Sequence, residues 1–284
     1  MNIGMEFLKF IILSLSIVAI SKYILVTLLR KLAETLDLKP KTVGNISGVA
    51  TSVPELLTSS FAAMTGLINT SIYNILSSNI INFVQYIISV GLNKNRKGLE
   101  NRAIRIDLCM VIITILIPIA MLAFKIEANI SIVPLLLLLF AFFYFVNNNA
   151  HKLYLSKEEK VMGEDIEKEK KCLKVKKIKT TLYTILLLAT GILLYLVGNA
   201  LSVVLENLCV IFSIPELFIG VLLGFVTSIP ELITFFEAQK HHNKQENSHL
   251  GLIEATNNLL SSNILNLFII QSVAIVIFYI CTRV

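Results

Sequence analysis

The chain has no tryptophan, and only 15% of its 284 residues are charged. Soluble domains carry charge on about a quarter of their residues, so this deficit argues against an ordinary water-soluble fold. The four cysteines, Cys109, Cys172, Cys209 and Cys281, stand singly. Without CxxC spacing they read as incidental thiols, not as a zinc site or redox pair. His151, His241, His242 and His249 fall in or beside polar loops, where solvation is the expected fate. HExxH, GxSxG and an aspartate pair inside an apolar stretch are all missing, so an enzyme reading finds no footing and no cofactor is expected.

What the chain does have is apolar length: 55% of it is hydrophobic, with a mean hydropathy of +0.77. Apolar spans run at Phe7 to Leu29, Val43 to Ile68, Ile72 to Leu92, Leu108 to Phe124, Ile130 to Val146, Leu182 to Val204, Phe218 to Phe236 and Leu252 to Ile280. Spans of this length cross a bilayer as helices. The chain therefore reads as an all-α integral membrane protein with about 8 transmembrane helices, five in the first half and three in the second. The first span is too long for a signal peptide, lacks a small-x-small cleavage site and is followed by seven more, so it counts as the first helix.

The net charge of +6 invites a nucleic-acid partner, but its distribution points elsewhere. Arg30 to Lys41, Lys94 to Arg105, Lys152 to Lys179 and Lys240 to Lys244 hold 21 of the 25 Lys and Arg residues, and they alternate between spans so as to share one face of the membrane. By the positive-inside rule that face is cytoplasmic, and both termini lie outside. Basicity here sets orientation, and no nucleic acid is expected.

Compared with itself, the chain repeats. Gly44-NISGVATSVPELL-Thr58 aligns with Gly220-VLLGFVTSIPELI-Thr234 at an offset of 176, identical at 8 of 15 positions including Thr-Ser-x-Pro-Glu. Asn74-ILSSNII-Asn82 then matches Asn258-LLSSNIL-Asn266 at an offset of 184. Five spans precede the helix that opens the second half, so the two copies run through the bilayer in opposite senses. That is the inverted-repeat plan of secondary transporters, with a site near the midplane. The expected organisation is a first membrane half at 1-149 with its repeat at about 43-92, a charged cytoplasmic linker at 150-179, and a second half at 180-284 with its repeat at about 218-281. The linker reads as a solvated connector, with regulation as its other reading.

Helical spacing puts Thr51, Ser52 and Glu55 on one side, and Thr227, Ser228 and Glu231 likewise. Asn74, Ser78 and Asn82 share a stripe, as do Asn258, Ser262 and Asn266. Pro54 and Pro230 deny an N–H to the carbonyls of Ala50 and Val226, so a break is expected just upstream, near Gly48 and Gly224, with bare carbonyls lining a cavity. Two carboxylates converge with amide, hydroxyl and carbonyl oxygens, and no imidazole or thiolate joins them. Such hard donors suit Na+ or Ca2+. A formal charge of about minus two balances one Ca2+ or two Na+, since a buried carboxylate needs a counter-charge. A single stripe of this kind also serves helix packing around a protonated glutamate; duplication of both stripes favours the cation site.

At these residues the chain resembles the sodium/calcium exchanger family of the cation/calcium antiporter superfamily, whose inverted alpha-repeats carry G-T-S-x-P-E and G-N-x-x-G-S-N-x-x-N/D. The resemblance implies that Glu55 and Glu231 are the central carboxylates. It implies that Thr51, Ser52, Thr227 and Ser228 are ligands through hydroxyls or carbonyls, that Ser78 and Ser262 are coordinating serines, and that Asn82 and Asn266 hold the amide position. The family's upstream backbone carbonyl falls at Gly48 and Gly224. Departures are Tyr73 and Asn257 for one family glycine, Ser77 and Ser261 for the next, Ala50 and Val226 for the glycine of G-T-S, and three helices where the family's second half has five. The amide at Asn266, where the potassium-dependent branch has Asp, argues against that branch. The first and sixth helices resemble the family's sliding gate.

The resemblance implies Ca2+ exchange for Na+ by alternating access, with cell-membrane localisation and outward Ca2+ movement. An H+/Ca2+ exchanger is the second reading, although the G-N-x-x-E motif of proton-coupled relatives is missing and Glu254 stands at a helix start where a solvated or capping role is expected. A non-transporting scaffold or subunit is the third. The partners expected are Ca2+, Na+ or H+, and the lipid bilayer, with a homo-oligomer left open.

Overall fold

The computed structural model describes residues 3–36, 38–123, 129–154, 173–243 and 248–282, and these are helical almost throughout, with no strand among them. Helix α1 (Ile3–Ile20) passes through a π-helical turn, Ser21–Val26, into α2 (Thr27–Thr35). Then come α3 (Pro40–Thr51), α4 (Val53–Met64) and α5 (Ile68–Leu92). Helices α6 (Arg102–Ala123) and α7 (Val133–Tyr154) complete the first half. The second opens with α8 (Leu173–Glu206), which ends in a π-helical turn, Asn207–Ile211. It continues with α9 (Glu216–Thr227), α10 (Ile229–Asn243) and α11 (Ser248–Ile264), which runs through the π-helical turn Leu265–Ile270 into α12 (Gln271–Thr282). Most of the 150–179 linker lies outside the described residues.

Seven helical stretches are long and apolar enough to cross a membrane. The expected eighth, Val43 to Ile68, is present as α3 and α4, two 12-residue pieces each too short to cross a membrane alone. Outward-facing leucines, isoleucines and phenylalanines such as Leu8, Ile12, Leu138, Phe145, Ile192 and Leu196 are exposed, the reverse of a water-soluble surface.

The breaks fall later than the sequence suggests. Helix α3 continues past Gly48 to Thr51, and Ser52 closes it with its N–H 3.2 Å from the Gly48 carbonyl. Ser228 does the same for α9, its N–H 3.2 Å from the Gly224 carbonyl. The reason is local: Pro54 and Pro230 sit at the second position of α4 and α10, where a helix has no use for the missing N–H. One residue absorbs the kink, so the preceding turn survives.

The first piece of each broken helix packs on the second helix of the other repeat, α3 on α11 and α9 on α5. Glycine permits this. A Cβ on Gly48 would stand 2.6 Å from the Asn258 carbonyl oxygen, and one on Gly220 would stand 2.8 Å from that of Thr70. Ser77 and Ser261, which replace the family's glycines, fill these crossings: Ser77 packs against Gly224, and Ser261 donates to the Asn45 carbonyl at 3.3 Å. Two apolar clusters flank the crossings. One is built on Tyr86, Phe235 and Phe268, the other on Ile17, Leu201 and Leu205 of the α1/α8 layer. The polar stripes meet between them.

Candidate functional site: a buried cage of oxygens

Glu55 is the third residue of α4 and Glu231 the third of α10, so each carboxylate sits at the positive end of a helix. Both are fully buried. Ser52-x-x-Glu55 has the spacing of a capping box, yet Ser52 makes no cap bond. Its hydroxyl lies 2.9 Å from the Gly48 carbonyl and 2.9 Å from the Ser262 hydroxyl of the other repeat. Ser262 in turn donates to Glu231 Oε1 at 3.1 Å, and Asn82 Nδ2 donates to Ser262 at 3.4 Å. Ser52, Ser262, Glu231 and Asn82 thus form one connected network across the two repeats.

The symmetry-related set is Ser228, Ser78, Glu55 and Asn266. Ser78 donates to the Gly224 carbonyl at 3.5 Å, and among the described residues the side chains of Ser228, Glu55 and Asn266 have no hydrogen bond of ordinary geometry. Glu55 Oε1 and Oε2, Glu231 Oε2, Ser228 Oγ, Asn82 Oδ1 and Asn266 Oδ1 are buried acceptors without a donor. Thr227 lies within reach of Glu55, and Thr51 within reach of Glu231, each threonine facing the other repeat's acid. Their hydroxyl protons are engaged by backbone carbonyls, Thr51 with Ser47 at 3.0 Å and Thr227 with Leu223 at 2.9 Å. The two carboxyls are close enough to repel each other.

The ten side chains named as candidate ligands lie on α3, α4, α5, α9, α10 and α11 or in the turns that join or continue them, and all are buried. The carbonyls upstream of each break, at Gly48 and Gly224, are both hydrogen-bonded. Gly48 accepts the Ser52 N–H and hydroxyl, and Gly224 accepts the Ser228 N–H and the Ser78 hydroxyl. Because each helix reaches its serine before breaking, the Gly48 and Gly224 carbonyls keep their usual donor and gain a hydroxyl, while the carbonyls denied an N–H by the prolines are those of Ala50 and Val226.

Asn74 and Asn258 stand on the stripes read from the sequence, whereas the pairing of Asn79 with Asn263 is not visible there. Asn79 Nδ2 donates to the Asn263 carbonyl and Asn263 Nδ2 to the Asn79 carbonyl, both at 3.2 Å, pairing α5 with α11. Asn74 donates to Thr58 and Ser59 at 3.0 Å, and Asn258 to Thr234 at 2.5 Å, tying the helices of each repeat together. Exact duplication of the second asparagine in Ser-Ser-Asn was the available signal. Two expectations are overturned. Glu254 is neither solvated nor a cap: it is buried, with Oε1 2.7 Å from Arg30 and Oε2 3.0 Å from His242. His242 is likewise buried, because the last turn of α10 turns it inward against α11.

Among the described residues no group of three or more His, Cys, Asp or Glu comes together, so the donors assembled here are mostly neutral oxygens around two acids. Buried acceptors without donors are costly, and oxygens converging on two carboxylates suit a desolvated hard cation.

A comparison with curated proteins finds no match. Solved structures do match. The sodium-calcium exchanger NCX_Mj soaked with 100 mM Na+ and 10 mM Sr2+ is 21% identical, with a TM-score of 0.54 over 96% of this chain and 82% of that one. The same exchanger in 10 mM Na+ and zero Ca2+ is 22% identical, with a TM-score of 0.52 over 96% and 83%. These similarities speak for the fold, an inverted-repeat helical transporter. The family model described as sodium/calcium exchanger protein matches residues 7–148 and 182–282, and with most of its length inside that match the chain belongs to the sodium/calcium exchanger family of integral membrane proteins.

Proposed function

We propose that this chain exchanges Ca2+ for Na+ through one site between the repeats. Glu55 and Glu231 are the charged donors, and Thr51, Ser52, Ser78, Asn82, Thr227, Ser228, Ser262 and Asn266 the neutral ones, with the Gly48 and Gly224 carbonyls anchoring Ser52 and Ser78. The observation that carries this is that three of the four carboxylate oxygens, fully buried, have no hydrogen-bond donor. A desolvated cation compensates such oxygens. Since Na+ and Ca2+ need the same two acids, occupancy by one excludes the other, and that exclusion couples their fluxes when the site is exposed to one side at a time.

In this reading the halves at 1-149 and 180-284 move against each other, the 150-179 linker and basic loops face the cytoplasm, both termini are outside, and the protein sits in the cell membrane extruding Ca2+. The test is Ca2+ uptake into vesicles holding the reconstituted protein, under an imposed Na+ gradient or pH gradient. Uptake driven by Na+ and lost in Glu55→Gln supports the reading. Uptake driven by protons alone replaces it with H+/Ca2+ exchange, and no uptake under either gradient with a non-transporting scaffold.

A further inference from the structure

Helix α2 extends the outer α1/α8 layer to the basic face of the protein, and there it meets the site helices through charge. Arg30 on α2 donates a 2.7 Å hydrogen bond from Nη2 to Glu254 Oε1 on α11. The second carboxylate oxygen lies 3.0 Å from His242 Nε2 at the end of α10. Glu254 is 5% exposed and His242 8% exposed, so this is an interior contact. Its place on α11 matters. Asn258, which holds Thr234, is one turn further along that helix, and Ser262, which holds Glu231, is two turns further.

The repeat supplies an internal control. At offset 176 Arg30 corresponds to Glu206, and at offset 184 Glu254 corresponds to Thr70. Glu206 is exposed and pairs with nothing among the described residues. Thr70 bonds to Glu216 at the start of α9, its N–H at 2.9 Å, and its hydroxyl lies 4.0 Å from Cys209 Sγ in the turn after α8. At that end the outer layer is instead tied to itself: Asn207 at the end of α8 donates to Glu6 of α1 at 3.1 Å, and Lys9 reaches the same carboxylate at 2.7 Å. The inverted fold is thus pinned from outer layer to site helices at one end by an ion pair, its carboxylate buried and its guanidinium partly exposed, and at the other only by the long Thr70–Cys209 contact.

We infer that Arg30, Glu254 and His242 form a one-sided latch that holds the outer layer closed over the site at the basic face, so that Glu254 is a positioning residue that biases which side of the membrane the site faces. Glu254 needs both partners because both its oxygens are buried; opening at this face must separate Arg30 from Glu254 and leave two charges to rehydrate. Opening at the opposite face breaks no such pair. The inference uses the exchange reading only for its transport arm, and the orientation only for naming the latched side cytoplasmic.

The test compares wild type with Glu254→Gln, Arg30→Gln, and the charge-swapped pair Arg30→Glu with Glu254→Arg, all as full-length reconstituted protein. Hydrogen–deuterium exchange, which needs no transport, is expected to show faster exchange at Thr27–Thr35 and over the first turns of α11 in either single variant, with protection regained in the swap. In Na+-driven uptake, the single variants are expected to bind Ca2+ more tightly from the latched side and more weakly from the other, by about fivefold in opposite directions, since a shifted two-state equilibrium acts reciprocally. A merely structural role lowers performance from both sides alike. Unchanged exchange at α2 and α11 in both single variants overturns the latch. So do equal changes on the two sides, or a swap that regains no protection. Wild type inactive under every gradient refutes the exchange reading and leaves the deuterium arm to decide the latch alone.

Discussion

The two halves of the cage are copies in sequence and unlike in bonding. Glu231, Ser262, Ser52 and Asn82 are joined by hydrogen bonds of 2.9 to 3.4 Å. Their counterparts Glu55, Ser78, Ser228 and Asn266 share only the long contact from Ser78 to the Gly224 carbonyl. Part of the difference is backbone. The helix carrying Asn82 is regular, whereas Asn266 lies in the π-helical turn Leu265–Ile270, and its side chain has no partner. Such single-turn π insertions recur at functional positions because the extra residue re-aims the side chains around it. An inverted repeat therefore supplies two equal sets of polar side chains, while packing decides which one is committed to the protein and which is left without partners.

The strongest way to break the comparison is to neutralise each acid in turn. Glu55→Gln and Glu231→Gln should each lower Na+-driven Ca2+ uptake by about a hundredfold or more, given the several kcal/mol attached to a buried charge and its partner. The cation-free proteins should differ. Glu55→Gln should raise the thermal midpoint, because it removes a buried charge with no bonded donor; Glu231→Gln should leave it level or lower, because it weakens an existing Ser262 bond. Equal shifts would show that the two half-sites are equivalent.

Glycine substitutions come next. Gly48→Ala puts a Cβ 2.8 Å from the Ser261 Cβ, and Gly224→Ala puts one 2.9 Å from the Asn74 carbonyl oxygen and against the Ser77 hydroxyl. Overpacking of this kind costs about 1–3 kcal/mol, read as a lower midpoint in denaturant or heat. Smaller still is the amide contrast. Asn82→Ala should cost about 1 kcal/mol by freeing Ser262 and Asn263, while Asn266→Ala should barely change the stability of the cation-free protein. Stabilisation by added Ca2+ should shrink in both. A loss of cation-free stability in Asn266→Ala as large as that in Asn82→Ala would contradict the assignment of an uncommitted half-site.

Both acid motifs and both asparagine stripes were legible in the sequence, because duplication at fixed offsets separates chemistry from apolar bias. The inverted arrangement followed from counting spans. The π turns were not legible: Ile81-NFVQ-Tyr86 and Leu265-NLFI-Ile270 align at offset 184, yet only the second is π-helical. Neighbours differ there, with Phe268 packed 5.2 Å from the Phe143 ring of α7. The position of the breaks depended on how little backbone a proline needs to disturb. Glu254 and His242 were misjudged because they flank a polar turn in sequence, and burial of a helix end is set by the partners that cover it.

The reciprocal amides of Asn79 and Asn263 carry a mechanical consequence. Each helix donates to the other's carbonyl at 3.2 Å, so the pair sits where the two repeats exchange roles. Sliding α5 along α11 stretches both bonds at once, a cost of about 2 kcal/mol for two ordinary bonds. Rotation about the line joining the two asparagines stretches neither. The pair is a rivet: it fixes the register at which the inverted halves meet, so α5 and α11 hold their polar stripes at one height relative to each other.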